Sequence, residues 1–338
     1  MMIAKSVRRL EGYVPGEQPK ARNVVKLNTN ENPYPPSPKC AEVLAGFDLD
    51  LLRRYPDPDC TELRKALAKL HKTVPERIFV GNGSDEILAL CARAFVENDE
   101  TIASLDPSYS LYKTLAAIRD VPWRGNEIDG KTALFLWTNP NAPTGTLVDK
   151  EFVARTAKSF KGVMLVDEAY ADFASADCMA LATAKGNRNI IVMRTFSKSF
   201  SLAGLRVGYC VGPKELIDAL VKVKDSYNVD AIAQRVALAA VKDAKWMRAN
   251  VKKVVAERKR TAKRLEAMGW SVVPSDSNFV FSKPPAGKKA EEIFKALRAR
   301  NIFVRWWAAK NVREFLRITI GTPAQMDALF AALEEIVR

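Results

Sequence analysis

Apolar positions in this chain cluster into short continuous runs separated by longer stretches with helical spacing. Runs at 78–80, 101–105, 132–137, 163–166, 190–194 and 207–211 have the length and branched-aliphatic content of buried strands. Between them the period changes. Leu63, Leu67 and Leu70 mark one face of an amphipathic helix over about 60–71, and Ile87, Leu88, Leu90, Cys91 and Ala94 mark another that opens after the turn at 81–86. Strands and helices alternating in this way predict a mainly parallel sheet sandwiched by helices. After Tyr227 the pattern turns helical. From Lys242 to Arg264 it predicts one long amphipathic helix, with Trp246, Val251, Val254, Val255 and Leu265 inward and its charges on a solvated face. Strand-like runs then return at 270–273, 278–281 and 315–320, with helices near 288–299 and 324–337, which predicts a smaller α+β domain. The expected division is an N-terminal arm over 1–27, a large domain over 28–227 and a small domain over 228–338. Turn-forming residues at 10–16 give the arm an extended form, and Pro33, Pro35, Pro36 and Pro38 make the next segment a stiff loop.

Composition narrows the class of protein. With 338 residues, 48% hydrophobic and 27% charged, the chain can bury a large core. No run approaches the length of a membrane span and the N-terminus lacks the apolar core of a signal peptide, so the chain is expected in the cytoplasm with no membrane partner. Cys40, Cys60, Cys91, Cys178 and Cys210 show no paired spacing and read as small buried hydrophobes rather than disulfides or metal ligands. His71 is the only histidine, which removes histidine-rich metal sites, and its charged helical segment predicts a solvated ring. The net charge of +14 attracts polyanions, but no zinc-finger spacing or RNA-binding aromatic motif accompanies it, so no nucleic-acid partner is expected.

Candidate chemistry gathers where strands end. Lys198 stands among Ser197, Ser199 and Ser201 between two buried runs, with Arg206 eight residues on. A lysine held at the end of a core strand loses hydration, which lowers its pKa and frees the amine to attack a carbonyl. The serines and the arginine can bind an anion beside it. Gly81-Asn82-Gly83-Ser84-Asp85-Glu86 follows a strand and opens a helix, so its backbone can approach an anion closely. Asp167 and Tyr170 follow another buried run, at the edge where open α/β sheets place ligands. Arg317, within an apolar strand, requires an anionic partner, from the protein or from a ligand. Taken singly, each has an ordinary alternative: a solvated loop lysine, first-turn acidic residues, a helix cap.

Together and in order, these blocks resemble the histidinol-phosphate aminotransferase family, a branch of the class I and II pyridoxal-phosphate aminotransferases. The resemblance rests on Ser197-Lys198-Ser199-Phe200-Ser201-Leu202-Ala203-Gly204-Leu205-Arg206, on Leu27-Asn28-Thr29-Asn30-Glu31-Asn32-Pro33-Tyr34, and on Asn139-Pro140-Asn141-Ala142-Pro143-Thr144-Gly145. It implies a seven-stranded large domain of fold type I and the cofactor pyridoxal 5'-phosphate. By position it assigns Lys198 to carry the cofactor and move the substrate proton, and Asp167 to the ring nitrogen. Tyr170 is assigned to the phenolic oxygen and Tyr109 to stacking on the ring. Ser84, Asp85, Ser197 and Arg206 fall at the phosphate, as does Tyr55, reaching from a partner subunit of a homodimer with shared active sites. Tyr13, Arg305 and Arg317 match substrate-binding positions, Arg317 on a carboxylate and Arg305 near a phosphate. Two departures stand out. Ala142 replaces the asparagine that usually donates to the phenolic oxygen, leaving Asn141 as the neighbouring candidate, and Trp306-Trp307 is a bulkier aromatic pair than expected. The implied reaction is ping-pong transamination between a small-molecule amino donor, histidinol phosphate, and 2-oxoglutarate. Aromatic amino-acid aminotransferases and threonine-phosphate decarboxylase share the same cofactor site.

Overall fold

The computed structural model describes residues 2–3, 5–10, 12, 16–19 and 23–337. Its strands, in chain order, are β1 (Val25–Lys26), β2 (Ile78–Gly81), β3 (Thr101–Ser104), β4 (Trp123–Gly125), β5 (Thr132–Thr138), β6 (Val163–Asp167), β7 (Ile190–Thr195), β8 (Gly208–Val211), β9 (Ser271–Val273), β10 (Phe279–Lys283), β11 (Ile302–Phe303) and β12 (Leu316–Thr319). Seven of them form one sheet in the order β2-β8-β7-β6-β5-β3-β4. β8 runs antiparallel to both neighbours and the other pairs in the sheet are parallel. This is the mainly parallel architecture that the alternating pattern predicts.

The runs are continuous because both faces of the sheet are covered. Phe135, Trp137, Met164, Val166 and Val192 pack into one buried cluster. Leu134, Leu136, Leu165, Ile191 and Met193, one residue out of step, pack into a second on the opposite face. The two-residue period of a strand thus divides a single apolar run between two helical layers. β4 was not among the expected strands. It is a short edge strand with Arg124 exposed, so it carries no apolar run to read.

In the C-terminal part β10 lies between β12 and β9, antiparallel to both. The helices Ala290–Ala299 and Pro323–Val337 stand near their expected positions. β11 pairs in parallel with β1, so the chain just before the proline-rich loop is built into this part of the molecule. The long helix runs over Ala244–Ala267, and its inward face differs from expectation. Trp246 is exposed, whereas Glu257 and Arg258 are buried. Arg258 donates to Phe173 O at 3.1 Å and to Ser277 O at 2.6 Å, capping carbonyls that apolar side chains could not satisfy. Glu257 is chelated by Arg260 at 2.6 Å, which also reaches Asp327.

His71 also departs from expectation. Its Nε2 lies 2.8 Å from the Tyr209 hydroxyl, and burial together with nearby Arg194 pushes its pKa down to about 4. It is a neutral, packed imidazole.

Candidate active site

The loops that leave β3, β5, β6 and β7 at their C-terminal ends carry Tyr109, Asn141, Tyr170 and Lys198, and in a parallel sheet these ends share one edge. The helix Ser84–Phe95 adds its N-terminus to that edge, and β12 brings Arg317. The parts converge electrostatically. The Lys198 amine is lowered to about 8 by burial, then by Arg317 and Arg206, with Glu31 and Asp85 opposing. Its Nζ donates to Thr29 O at 3.2 Å. A lysine in this state is partly neutral near physiological pH, which is the condition for nucleophilic use.

Asp167 closes β6 and is 5% exposed. Burial raises its carboxyl to about 6, with Asp85 adding to the rise. The Tyr112 hydroxyl, the Ala169 N–H and Lys198 act in the other direction. Tyr112 lies 2.6 Å from Asp167 Oδ2, and Ala169 N donates to Oδ1 at 3.0 Å. The sequence pattern alone makes Tyr112 helix surface or core. It is buried, but its hydroxyl reaches the site, and its closeness in sequence to Tyr109, whose ring it meets edge-on at 5.6 Å, is the available signal.

An anion cradle lies at the start of the helix Ser84–Phe95. Gly83 has φ +82°, and a Cβ there would stand 2.7 Å from Arg206 Nη2. A Cβ on Gly208 would stand 2.6 Å from Ser84 N. Both glycines are therefore required for the close approach of β8, the helix start and Arg206. Arg206 donates to Ser197 Oγ at 3.2 Å and pairs with Asp85 at 3.5 Å, and the Tyr109 hydroxyl reaches Asp85 at 3.3 Å.

Tyr170 is buried, with its ring edge-on to Phe279 at 5.1 Å and Ala142 packed beside both. Its oxygen accepts from Asn30 Nδ2 at 2.8 Å. Asn30, read from sequence only as a loop former, is 1% exposed at φ +56° and is locked to Thr319 Oγ1 at 3.0 Å. Asn141 is committed elsewhere. Its Nδ2 donates to Pro107 O and Thr144 Oγ1, both at 3.0 Å, and its Oδ1 accepts from Ser108 at 2.9 Å. The structure thus gives Asn30 the hydrogen bond to Tyr170, and it uses Asn141 to tie two loops together.

Arg305 and Arg317 face each other across a backbone bridge, with N–H to O distances of 3.0 and 2.9 Å. Their guanidinium groups lie 5.2 and 5.1 Å from the Trp307 ring, and Arg317 also covers Phe279 and donates to Asn28 O. Arg317 is therefore built into an aromatic wall beside Lys198. Tyr55 is 79% exposed, stacked on Tyr227 at 4.3 Å. Tyr13 lies outside the described residues.

Beneath the lysine loop lies an ionic cluster that sequence reasoning missed. Arg194 clasps Glu168 through two nitrogens, at 2.9 and 2.8 Å, and also reaches Asp172 and Asp177. Ser199 hydrogen-bonds Asp172, which fastens the loop to the cluster. Burial raises Glu168 to about 7 against the pull of Arg194.

The site offers a depressed amine, a buried carboxylate at a strand end, and an anion cradle closed by glycines. These are the separate requirements of an aldehyde-bearing, phosphorylated pyridine, so the residues present fit pyridoxal phosphate. Comparison with known proteins agrees. Residues 22–333 match the family model of aminotransferase class I and II. The chain belongs to the class I and II aminotransferases. Within that family it is 43% identical to the histidinol-phosphate aminotransferase of Chromohalobacter salexigens, over 98% of each chain. It is 41% identical to histidinol-phosphate aminotransferase 1 of Nostoc sp., over 98% of this chain and 97% of that one. The fold of this aminotransferase superposes on the crystal structure of histidinol-phosphate aminotransferase from Sinorhizobium meliloti in complex with pyridoxal-5'-phosphate. The TM-score is 0.90 at 24% identity, covering 100% of this chain and 98% of that one.

Proposed function

We propose that this aminotransferase uses pyridoxal phosphate on Lys198 to move an amino group between histidinol phosphate and 2-oxoglutarate. The observation that supports the reading is the electrostatic coupling of buried Lys198 to Arg206, Arg317 and Asp85, and of buried Asp167 to Lys198 and Asp85, groups carried by separate elements of the fold. Similarity to histidinol-phosphate aminotransferases over nearly the whole chain supports this choice of substrates.

When bound, pyridoxal phosphate supplies an aldehyde for the lysine and a protonated ring that accepts electron density. Gly83, Ser84, Ser197 and Arg206 would hold its phosphate, Tyr109 would pack against its ring, and Asp167 would keep the ring nitrogen protonated. Tyr170, fixed by Asn30, would offer its hydroxyl to the cofactor's phenolic oxygen. Lys198, with its proton affinity lowered by burial and two arginines, is the base that takes and returns the substrate proton. Arg317 and Arg305 together bind an oxyanion, and the same pair serves the carboxylate of 2-oxoglutarate in one half-reaction and the phosphate of histidinol phosphate in the other. Tyr55, exposed on one protomer, completes the partner's phosphate site in a cytoplasmic homodimer.

Trp307 between two guanidinium groups is also a wall for an aromatic side chain, which keeps aromatic amino donors in the test. A donor screen on the purified protein, with Lys198→Ala as control, decides the matter. The expected result is 2-oxoglutarate-dependent consumption of histidinol phosphate above all other donors. Preferential use of phenylalanine or tyrosine, or release of carbon dioxide from threonine phosphate, would refute the substrate assignment.

A further inference from the structure

Asp167 is joined to Asn141 through the hydroxyls of Tyr112, Thr138 and Ser108, and the protons along this line can be placed one by one. Asn141 Nδ2 faces Pro107 O at 3.0 Å, a group that only accepts, so the amide orientation is fixed and Oδ1 turns to Ser108 Oγ at 2.9 Å. An amide oxygen only accepts, so the single Ser108 proton is committed there. Ser108 Oγ lies 3.0 Å from Thr138 Oγ1, and Thr138 must therefore donate to it. Thr138 Oγ1 lies 2.6 Å from the Tyr112 oxygen, and Tyr112 must then donate to Thr138. With the carboxyl ionised, Tyr112 donates to Asp167 Oδ2 at 2.6 Å; with Tyr112 turned to Thr138, that pair keeps its hydrogen bond only if the carboxyl itself carries a proton. Oδ1 already accepts from the Ala169 N–H, which places that proton on Oδ2. Tyr112 and Thr138 are 1% and 2% exposed, so the middle of the line is shielded from solvent.

We propose that Ser108, Thr138 and Tyr112 form a reversible hydrogen-bond relay whose direction is set by the charge on Asp167. With the carboxyl protonated, every hydroxyl points toward Asn141 and each neighbouring pair is hydrogen-bonded. With it ionised, Tyr112 donates to Asp167, Thr138 to Tyr112 and Ser108 to Thr138, and the Ser108–Asn141 bond is given up. Each hydroxyl keeps its own proton and only rotates. The proton that leaves Oδ2 goes to solvent or to a base brought against Asp167. The Ser108–Asn141 bond ties the loop of Tyr109 to the loop 139–145, so the relay couples the charge at the strand end to the loop that carries the stacking residue. These hydroxyls are positioning residues acting through Asp167. The charged groups facing that carboxyl are Asp85 from the helix Ser84–Phe95 and Lys198 from the loop after β7. The placement of the protons does not depend on the proposed function; only the use made of it does.

The test follows the infrared carbonyl band of the protonated Asp167, identified by its loss in Asp167→Asn, against pH. It uses the full chain with no pyridoxal phosphate added, and again after loading. In Ser108→Ala and Thr138→Val the ionised form no longer sacrifices a hydrogen bond, so the midpoint should fall, by up to about one pH unit or tenfold in acid dissociation. Tyr112→Phe removes a side-chain donor to the carboxylate, so its midpoint should rise. Thr138→Ser should restore the original midpoint, and circular dichroism should report an unchanged fold. A midpoint that stays or rises in Ser108→Ala would overturn the relay, because Tyr112 would then donate to Asp167 at every pH. Opposite signs for the serine and tyrosine variants in a chain that never binds pyridoxal phosphate would refute the proposed function and leave the relay standing.

Discussion

Replacing Asp167 by asparagine should strengthen the protein while ending its activity. Asp167 is 5% exposed, and burial lifts its carboxyl from an ordinary 3.8 to about 6. A group raised in the folded state stabilises fully below its unfolded pKa, and that contribution is lost as pH rises through the folded value. The window is therefore about pH 4 to 6, and at about 1.4 kcal/mol per pH unit the ionised carboxyl costs about 3 kcal/mol above it. Asparagine has the same shape, and its Nδ2 and Oδ1 can serve Tyr112 and Ala169 N–H without a charge to desolvate. For a chain of this length, about 3 kcal/mol corresponds to a rise of about 4 °C in melting temperature. The assay is a pair of melts on the full chain without added cofactor, at pH 8 and pH 4.5, together with transaminase turnover. Asp167→Asn should melt about 4 °C higher at pH 8 but only about 1 °C higher at pH 4.5, where about a third of the penalty remains, with turnover reduced at least a hundredfold, on the order of the loss of one strong preorganised electrostatic contact. A variant that melts lower at pH 8, or whose gain is the same at both pH values, would refute the reasoning.

Other consequences can be checked in parallel. Gly83→Ala places a Cβ 2.7 Å from Arg206 Nη2 at a positive φ. It should weaken pyridoxal phosphate binding by about ten- to a hundredfold in an absorbance titration, since left-handed strain and a displaced guanidinium together cost about 1–3 kcal/mol. Arg194→Met leaves Glu168, Asp172 and Asp177 without their common cation. It should destabilise by about 3–5 kcal/mol in urea denaturation, more at pH 8 than at pH 5, because Glu168 can take up a proton at the lower pH. Tyr55→Ala and Lys198→Ala should each be inactive at limiting cofactor. Mixing them should restore about a quarter of native activity, because about half the dimers carry one intact composite site; no recovery would refute the shared site. Arg317→Gln should raise the Lys198 amine from about 8 toward its usual range, moving the acid-side activity limit to higher pH while increasing KM for 2-oxoglutarate.

Much of this was legible in the residue pattern, for physical reasons. Strands buried on both faces must be apolar throughout, so β5, β6 and β7 announced themselves, and residues at their ends stood out by contrast. Lys198, Asp167 and Arg317 were visible because a charge beside a buried run needs an explanation. Asn30, Tyr112 and the partners of Arg194 were not visible, because their roles depend on contacts across long sequence separations. Asn30 meets Thr319, and Tyr112 meets Asp167. Glu257 and Arg258 misled the reading of the long helix, since periodicity cannot distinguish a solvated charge from one paired or capping carbonyls inside. His71 misled it similarly, being a neutral ring against Tyr209.

The central claim is that one amine, Lys198, carries the cofactor. Reducing the pyridoxal-phosphate-loaded protein with borohydride, digesting it and locating the phosphopyridoxyl group by mass spectrometry tests that claim directly. The group should sit on the peptide containing Lys198 and be missing from the Lys198→Ala variant. Its appearance on another lysine, or its absence from a loaded and reduced protein, would contradict the account.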